Sequence, residues 1–283
     1  DDQGILWIGT GEGLQSYDPI SESWELYTYE DVEGFSSSIE GIAFTPDRTM
    51  WVAFSSGLCL FDPLDGTCLE DFDTGDVENM VDDWISTLLV DENGYLFYGT
   101  DSSGVSMYDG QLWTQYAFEN EPLGDNTVHA FVEDSQGYFW VGTSNGGTTR
   151  ISPDGETWEV FADWESGINS RWINDIAAGP DGVWFLHGTS LSYYDGSDWT
   201  HVTKEDGMRD DSSYHLALDD TGQLWIGGYD GLSIYNPSDG SFTHVTIDDG
   251  LPENTNVRAF MPEGETMWVG TSTGLFRFNG ADF

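Results

Sequence analysis

Basic residues are the scarcest class in this chain. Seven Lys and Arg, with Lys204 the single lysine, stand against 52 Asp and Glu in 283 residues, a formal net charge of −45. Nucleic acids and anionic membrane surfaces are held through cationic contacts, so this balance excludes nucleic acid as a partner. No apolar run approaches 18 residues, which excludes a membrane-spanning helix and membrane insertion. The sequence opens on Asp1 with neither Met nor a signal peptide, as expected of a processed or excised piece. The acidity itself leaves three readings open: a solvated surface, solubility in a salty medium, or attraction of cations.

Cysteine is nearly absent as well. Cys59 and Cys68 flank a turn-forming stretch that reads as a hairpin. If the two lie opposite each other, their Cα atoms fall about 5 Å apart, close enough for a disulfide. A disulfide places the chain in an oxidising compartment, outside the cytoplasm. Two buried thiols are the alternative.

What is abundant is aromatic and periodic. The chain has 13 Trp, 13 Tyr and 16 Phe. Seven times it writes a variant of one phrase, among them LWIGT from Leu6, LFYGT from Leu96, FWVGT from Phe139 and MWVGT from Met267. The central aromatics Trp7, Trp51, Phe97, Trp140, Trp184, Trp225 and Trp268 are 41 to 46 residues apart. A period near 43 built of short strands and Gly turns marks a β-propeller with one blade per repeat. The fold class is therefore all-β: a seven-bladed propeller of four-stranded antiparallel blades, forming one domain over residues 1–283.

Each repeat divides into strands A to D, counted outward from the propeller axis. The aromatic phrases are the B strands. The D strands open on Trp24, Trp113, Trp158, Trp199 and Phe242, with Cys68 in that place in the second blade. This register yields seven B, seven C, six D and six A strands. Phe283 would begin a further D strand, and the first blade lacks its inner strand. A strand donated by another chain would close such a blade, so self-association through it is an expectation.

At this point the residues carry a family resemblance. Leu224–Asn236 (LWIGGYDGLSIYN), Leu6–Asp18 (LWIGTGEGLQSYD) and Met267–Asn279 (MWVGTSTGLFRFN) resemble the two-component regulator propeller repeat. The linker Asp248–Val257 resembles the D–A connection of that family. Ala53 and Leu186 depart from the pattern, replacing its Gly. The resemblance implies a periplasmic or extracellular location and a sensor-type domain, often for oligosaccharides, or a secreted propeller of unknown role. It carries over no catalytic residue.

Candidate ligand positions follow from strand alternation. B–C loops and D–A linkers share one face, the upper one. The B–C loops hold only three acids, and Ser55, Ser56, Ser144, Asn145, Ser272 and Thr273 make them neutral and polar. Such loops suit a hydroxylated, uncharged ligand. Beside them lie Trp84, Arg171 and Trp172, and the two indoles could stack on sugar rings, the alternative being that they pack under the linkers. The second positions of the A strands are Glu40, Ser86, His129, Asn174, His215 and Arg258, all polar, and alternation directs them toward the channel.

The expected function is thus non-catalytic recognition of a neutral glycan, or of a protein partner, at the upper face. A structural subunit of an extracellular assembly is an alternative. A lyase or hydrolase using Glu40, His129 and His215 is another, although these residues lack local metal-ligand spacing. His201 and His244 share one D-strand site and read as scaffold. No cofactor is implied. Calcium could be drawn to Asp71, Asp73, Asp76, Glu78, Asp82 and Asp83, which lack EF-hand spacing.

Overall fold

A computed structural model describes residues 1–283 except 37, 55–56, 74–79, 81–83, 119–121, 210–211, 230, 247–249, 253–254, 265 and 279–283. Among the described residues, twenty-six strands form seven antiparallel sheets, the blades of a seven-bladed β-propeller. Blade one holds β1 (Leu6–Thr10), β2 (Gly13–Asp18) and β3 (Ser23–Tyr27). Blade two holds β4 (Ile39–Phe44), β5 (Met50–Phe54), β6 (Gly57–Asp62) and β7 (Thr67–Asp73). Blade three holds β8 (Ile85–Val90), β9 (Leu96–Thr100), β10 (Val105–Tyr108) and β11 (Trp113–Tyr116). Blade four holds β12 (Val128–Glu133), β13 (Phe139–Thr143), β14 (Thr148–Ile151) and β15 (Trp158–Phe161). Blade five holds β16 (Asp175–Gly179), β17 (Gly182–Leu186), β18 (Leu191–Tyr194) and β19 (Trp199–Val202). Blade six holds β20 (Ser213–Leu218), β21 (Leu224–Gly228), β22 (Gly231–Asn236) and β23 (Ser241–Val245). Blade seven holds β24 (Val257–Glu263), β25 (Thr266–Thr271) and β26 (Gly274–Phe278). The expected Phe283 lies outside the described residues. The chain divides into two compact units, residues 1–129 and 130–283.

The aromatic rule for the D strands has a physical basis. Each such residue pairs directly with an aromatic or apolar residue of its C strand: Tyr17 with Trp24, Phe61 with Cys68, Tyr108 with Trp113, Ile151 with Trp158, Tyr194 with Trp199, Tyr235 with Phe242. Four of these pairs bring rings to centroid distances of 4.5 to 4.9 Å. Cross-strand aromatic pairs of this kind fix register as well as adding packing energy.

The Gly of the repeated phrase marks a close approach. A Cβ on Gly142 would sit 2.6 Å from Ile173 Cγ2, and one on Gly227 would sit 2.5 Å from Val257 Cγ1. In both cases the obstacle is a residue at the entry to the next blade's inner strand. In blade five Leu186 replaces the Gly, and the equivalent opening residue of the next blade is the small Ser213.

The acidic turns are also built for a purpose. In Asp134 one carboxylate oxygen accepts from the Gln136 and Tyr138 N–H groups at 2.9 and 3.0 Å. The other accepts from the Trp140 indole at 2.8 Å. Asp219 repeats this with Thr221, Gln223 and Trp225. Asp1 does the same with Gln3, Ile5 and Trp7. One carboxylate thus closes the A–B turn and satisfies the buried end of the B-strand tryptophan.

The disulfide Cys59–Cys68 is present, with Cα atoms 5.9 Å apart. The two are not opposite each other, as a simple hairpin would require. Cys59 faces Asp71, Cys68 faces Phe61, and a register irregularity between Leu60 and Phe61 lets the sulfurs meet diagonally.

Candidate functional site

The chain ties B–C loops to D–A linkers through its own backbone. In the first unit Gly104 N–H donates to Asn126 O, and Asp101 N–H to Trp84 O. In the second, Gly147 donates to Arg171 O, Ile173 to Thr143 O, Ser213 to Gly188 O and Ser272 to Asn256 O. These bonds put the two loop classes on one side of each blade, as alternation of strand direction requires. Thr143 stabilises its loop further, donating to Gly147 O and accepting from Gly146 N–H.

Ser144 is half-buried and Asn145 exposed on the tip of that loop. Trp84 is 62% exposed and Trp172 is 53% exposed, and Arg171 is exposed beside it. The two indoles do not pack beneath the linkers. Loop residues Ser55 and Ser56 lie outside the described residues, as do Asp76, Glu78, Asp82 and Asp83 of the calcium expectation. Asp71 and Asp73 fall within β7.

The inner-strand polar positions separate into different roles. Ser86 donates its hydroxyl to Val128 O at 2.5 Å, and Asn174 donates its amide to Ser213 O at 2.5 Å. Both side chains bond the carbonyl that opens the next inner strand. His129 is half-buried, and burial lowers its pKa despite the opposing pull of Asp101 and Asp125. Glu40 and Arg258 are exposed.

His215 does not occupy the expected register. Ladders in blades two, three, six and seven each carry one extra residue near the start of the inner strand. The extra residues are Glu40, Ser86, Tyr214 and Arg258. Blade six therefore presents Tyr214 where the alternation pointed to His215, which lies one position further on. Burial, with Arg258 nearby, pushes the His215 pKa down to about 4, so the imidazole is neutral at pH 7.

Asp175 holds that next position in blade five. Its carboxylate accepts from the backbone N–H groups of Ile176 and Leu216, each at 2.8 Å, yet burial outweighs them and pushes its pKa up to about 7. Sequence reasoning passed over Asp175 because an isolated Asp in a strand has no spacing signature.

It also passed over His187. This residue stands in blade five where Thr143 stands in blade four, a substitution that the repeat alignment displays. Its Nδ1 donates to Trp172 O at 3.1 Å, and its Nε2 lies 2.8 Å from Ser192 Oγ. Burial drives its pKa down to about 4, which leaves Nε2 as an acceptor. Ser192 also lies 3.0 Å from His201 Nδ1, its cross-strand partner. Blade six repeats that pairing with Ser233 and His244 at 2.8 Å. His201 and His244 are thus parts of one recurring C–D device.

The second unit also has a recess of about 1160 Å³ on its opposite side. Asp181, Asp219, Asp220 and Pro237 of the A–B and C–D turns line it, with Trp184 and Tyr235 on its wall. Among the described residues no group of three or more His, Cys, Asp or Glu is placed to hold a metal ion.

Residues 122–145 match the family model described as two component regulator propeller. This chain carries a repeat of that family. The matched stretch enters blade four through its D–A linker and ends in its B–C loop. No curated protein matches.

Solved structures match over nearly the whole chain. The extracellular domain assigned to the hybrid two component system BT3049 of B. thetaiotaomicron is 22% identical, with a TM-score of 0.80, over 99% of this chain and 38% of that one. The extracellular domain assigned to the one component system BT4673 of the same organism is 16% identical, with a TM-score of 0.79, over 100% and 39%. PorZ, a bacterial surface component of the type-IX secretion system of Porphyromonas gingivalis, is 17% identical, with a TM-score of 0.76, over 99% and 46%. These likenesses establish the propeller fold. The chain spans less than half the length of each.

Proposed function

We propose that this chain is a non-catalytic, extracytoplasmic recognition domain that binds a glycan on the face of its B–C loops and D–A linkers. The observation that carries the reading is the pairing of exposed indoles with neutral polar loops. Trp172 stands over half exposed beside the Ser144–Asn145 loop, and the Gly147–Arg171 backbone bond ties loop to linker. An exposed aromatic face beside hydroxyl and amide groups suits a sugar ring, which is apolar on one side and hydroxylated around its edge. The Cys59–Cys68 disulfide and the extracellular setting of similar propellers support the location.

Binding to an array of neutral oligosaccharides tests the reading. Trp172→Ala should weaken a bound glycan about tenfold, the loss of one stacking contact of about 1.4 kcal/mol, while the melting temperature stays within about 1 °C because over half of the residue is exposed. Trp84→Ala in the first unit should act similarly if that rim is used as well. Absence of glycan binding, or affinity indifferent to both substitutions, would refute the proposal.

A further inference from the structure

Arg258 stands apart from three of the other six bases. Arg48, Arg150 and Arg277 each hold a carboxylate at 2.8, 2.6 and 3.0 Å. Arg258 is exposed and, among the described residues, has no ion pair. In a chain with 52 acids, a guanidinium that pairs with none of the described carboxylates is conspicuous, because partners are plentiful.

Arg258 occupies the extra residue at the start of β24, and Tyr214 occupies the same place in β20 of the neighbouring blade. Irregularities of this kind re-aim a side chain out of the ladder. Tyr229, in the B–C loop that follows β21, meets Tyr214 edge to face with ring centroids 5.1 Å apart. The two rings are 51% and 38% exposed. The inner strands β20 and β24 pack against each other, and the Arg258 charge bears on both Tyr229 and His215. His215 carries no charge of its own at pH 7.

We infer that Arg258, Tyr229 and Tyr214 form a subsite for the carboxylate of a sugar acid, so that the bound glycan contains a uronic acid unit. The inference rests on the glycan reading above and narrows it. A guanidinium presents a planar fork of N–H donors that matches a carboxylate in two parallel bonds. Two phenols add donors and ring edges for the sugar beside it. The net charge selects among anions: a doubly charged phosphate meets about twice the long-range repulsion of a single carboxylate.

That repulsion gives the site an unusual salt response. The local pair acts over a few ångströms and the acids of the chain over longer distances. Salt shortens the Debye length from about 30 Å at 0.01 M to about 8 Å at 0.15 M, so it screens the distant acids more than the contact. Added NaCl should therefore tighten binding of a uronate, the reverse of an ordinary exposed ion pair.

The test is ligand-observed NMR titration of the full chain with D-glucuronate, D-glucose and acetate. Glucuronate should bind at least tenfold tighter than glucose and than acetate, and more tightly at 0.15 M than at 0.01 M NaCl. Arg258→Ala should reduce it to the level of glucose, Arg258→Lys should lose severalfold, and Tyr229→Phe should weaken it with an unchanged melting temperature. Glucuronate binding no tighter than glucose, or unaffected by Arg258→Ala, overturns the inference; with Trp172-dependent binding of neutral glycans intact, the broader reading survives. Acetate binding as well as glucuronate overturns the sugar acid. If neither sugar binds and the neutral array is also negative, both readings fall.

Discussion

The acidic residues of the A–B turns do more than carry charge. Asp219 uses one oxygen to close its turn and the other to accept the Trp225 indole at 2.9 Å. Burial by itself would raise its pKa, but the hydrogen bonds from Thr221, Trp225 and Gln223 prevail and hold it below the usual carboxylate value. Asp219→Ala should destabilise the chain by about 1–3 kcal/mol, since it strands two turn N–H groups and an indole. Asp219→Asn keeps an oxygen for the turn and loses only the indole acceptor, so its cost should be smaller. A carboxylate with a depressed folded pKa adds stability above its unfolded pKa and loses it as pH falls through the folded value. The stability gap between the native chain and Asp219→Asn in urea melts should therefore be full at pH 7 and close below about pH 4. A gap that does not vary with pH would show that the carboxylate charge is irrelevant.

Whole strands were easier to read in the sequence than the facing of single side chains. The seven aromatic phrases, the count of A, B, C and D strands and the Cys68 place among the D-strand aromatics follow from repetition, because each error in one blade is corrected by six others. Register inside an inner strand has no such check. Ser213, Tyr214 and His215 fit two alternations, and a slip of one residue exchanges the faces. The extra residue that decides for Tyr214 depends on pairing with β21, which composition does not encode. The same limit hid the roles of Ser86 and Asn174. Their polarity is visible, but the carbonyls they bond belong to the next blade. The close approach behind the repeated Gly gives a prediction at this scale. Gly227→Ala puts a methyl against Val257 and should cost about 1–3 kcal/mol by overpacking, read as a lower urea midpoint with an unchanged slope. Ala53 occupies the same place in blade two and is fully buried, so the interface tolerates a Cβ where its neighbours have adapted.

At the scale of the whole chain the question is what a net charge of −45 does. Part of the acid is committed locally. Asp18, Asp109 and Asp195 accept turn N–H groups in the C–D turns, as Asp1, Asp134 and Asp219 do in the A–B turns. These bonds fix each carboxylate but do not neutralise it, and three ion pairs among the described residues offset little. Self-repulsion of the folded state is the consequence, because folding brings the carboxylates closer together than the unfolded chain does. Screening relieves it, and the melting temperature should rise with NaCl between about 0.01 and 0.15 M. A gain of about 1–2 kcal/mol would appear as roughly 2–8 °C for a chain of this size. The same measurement separates screening from selective cation binding. Screening depends on valence and concentration, so CaCl2 and MgCl2 should give coincident curves. A calcium site takes six to eight oxygens in a flexible cage that magnesium does not fill, and it would lift the melting temperature in calcium alone. Coincident curves are the expected outcome, since hydrogen bonds already orient the turn carboxylates toward backbone N–H groups. A calcium-specific rise would instead assign part of the acidity to a bound ion.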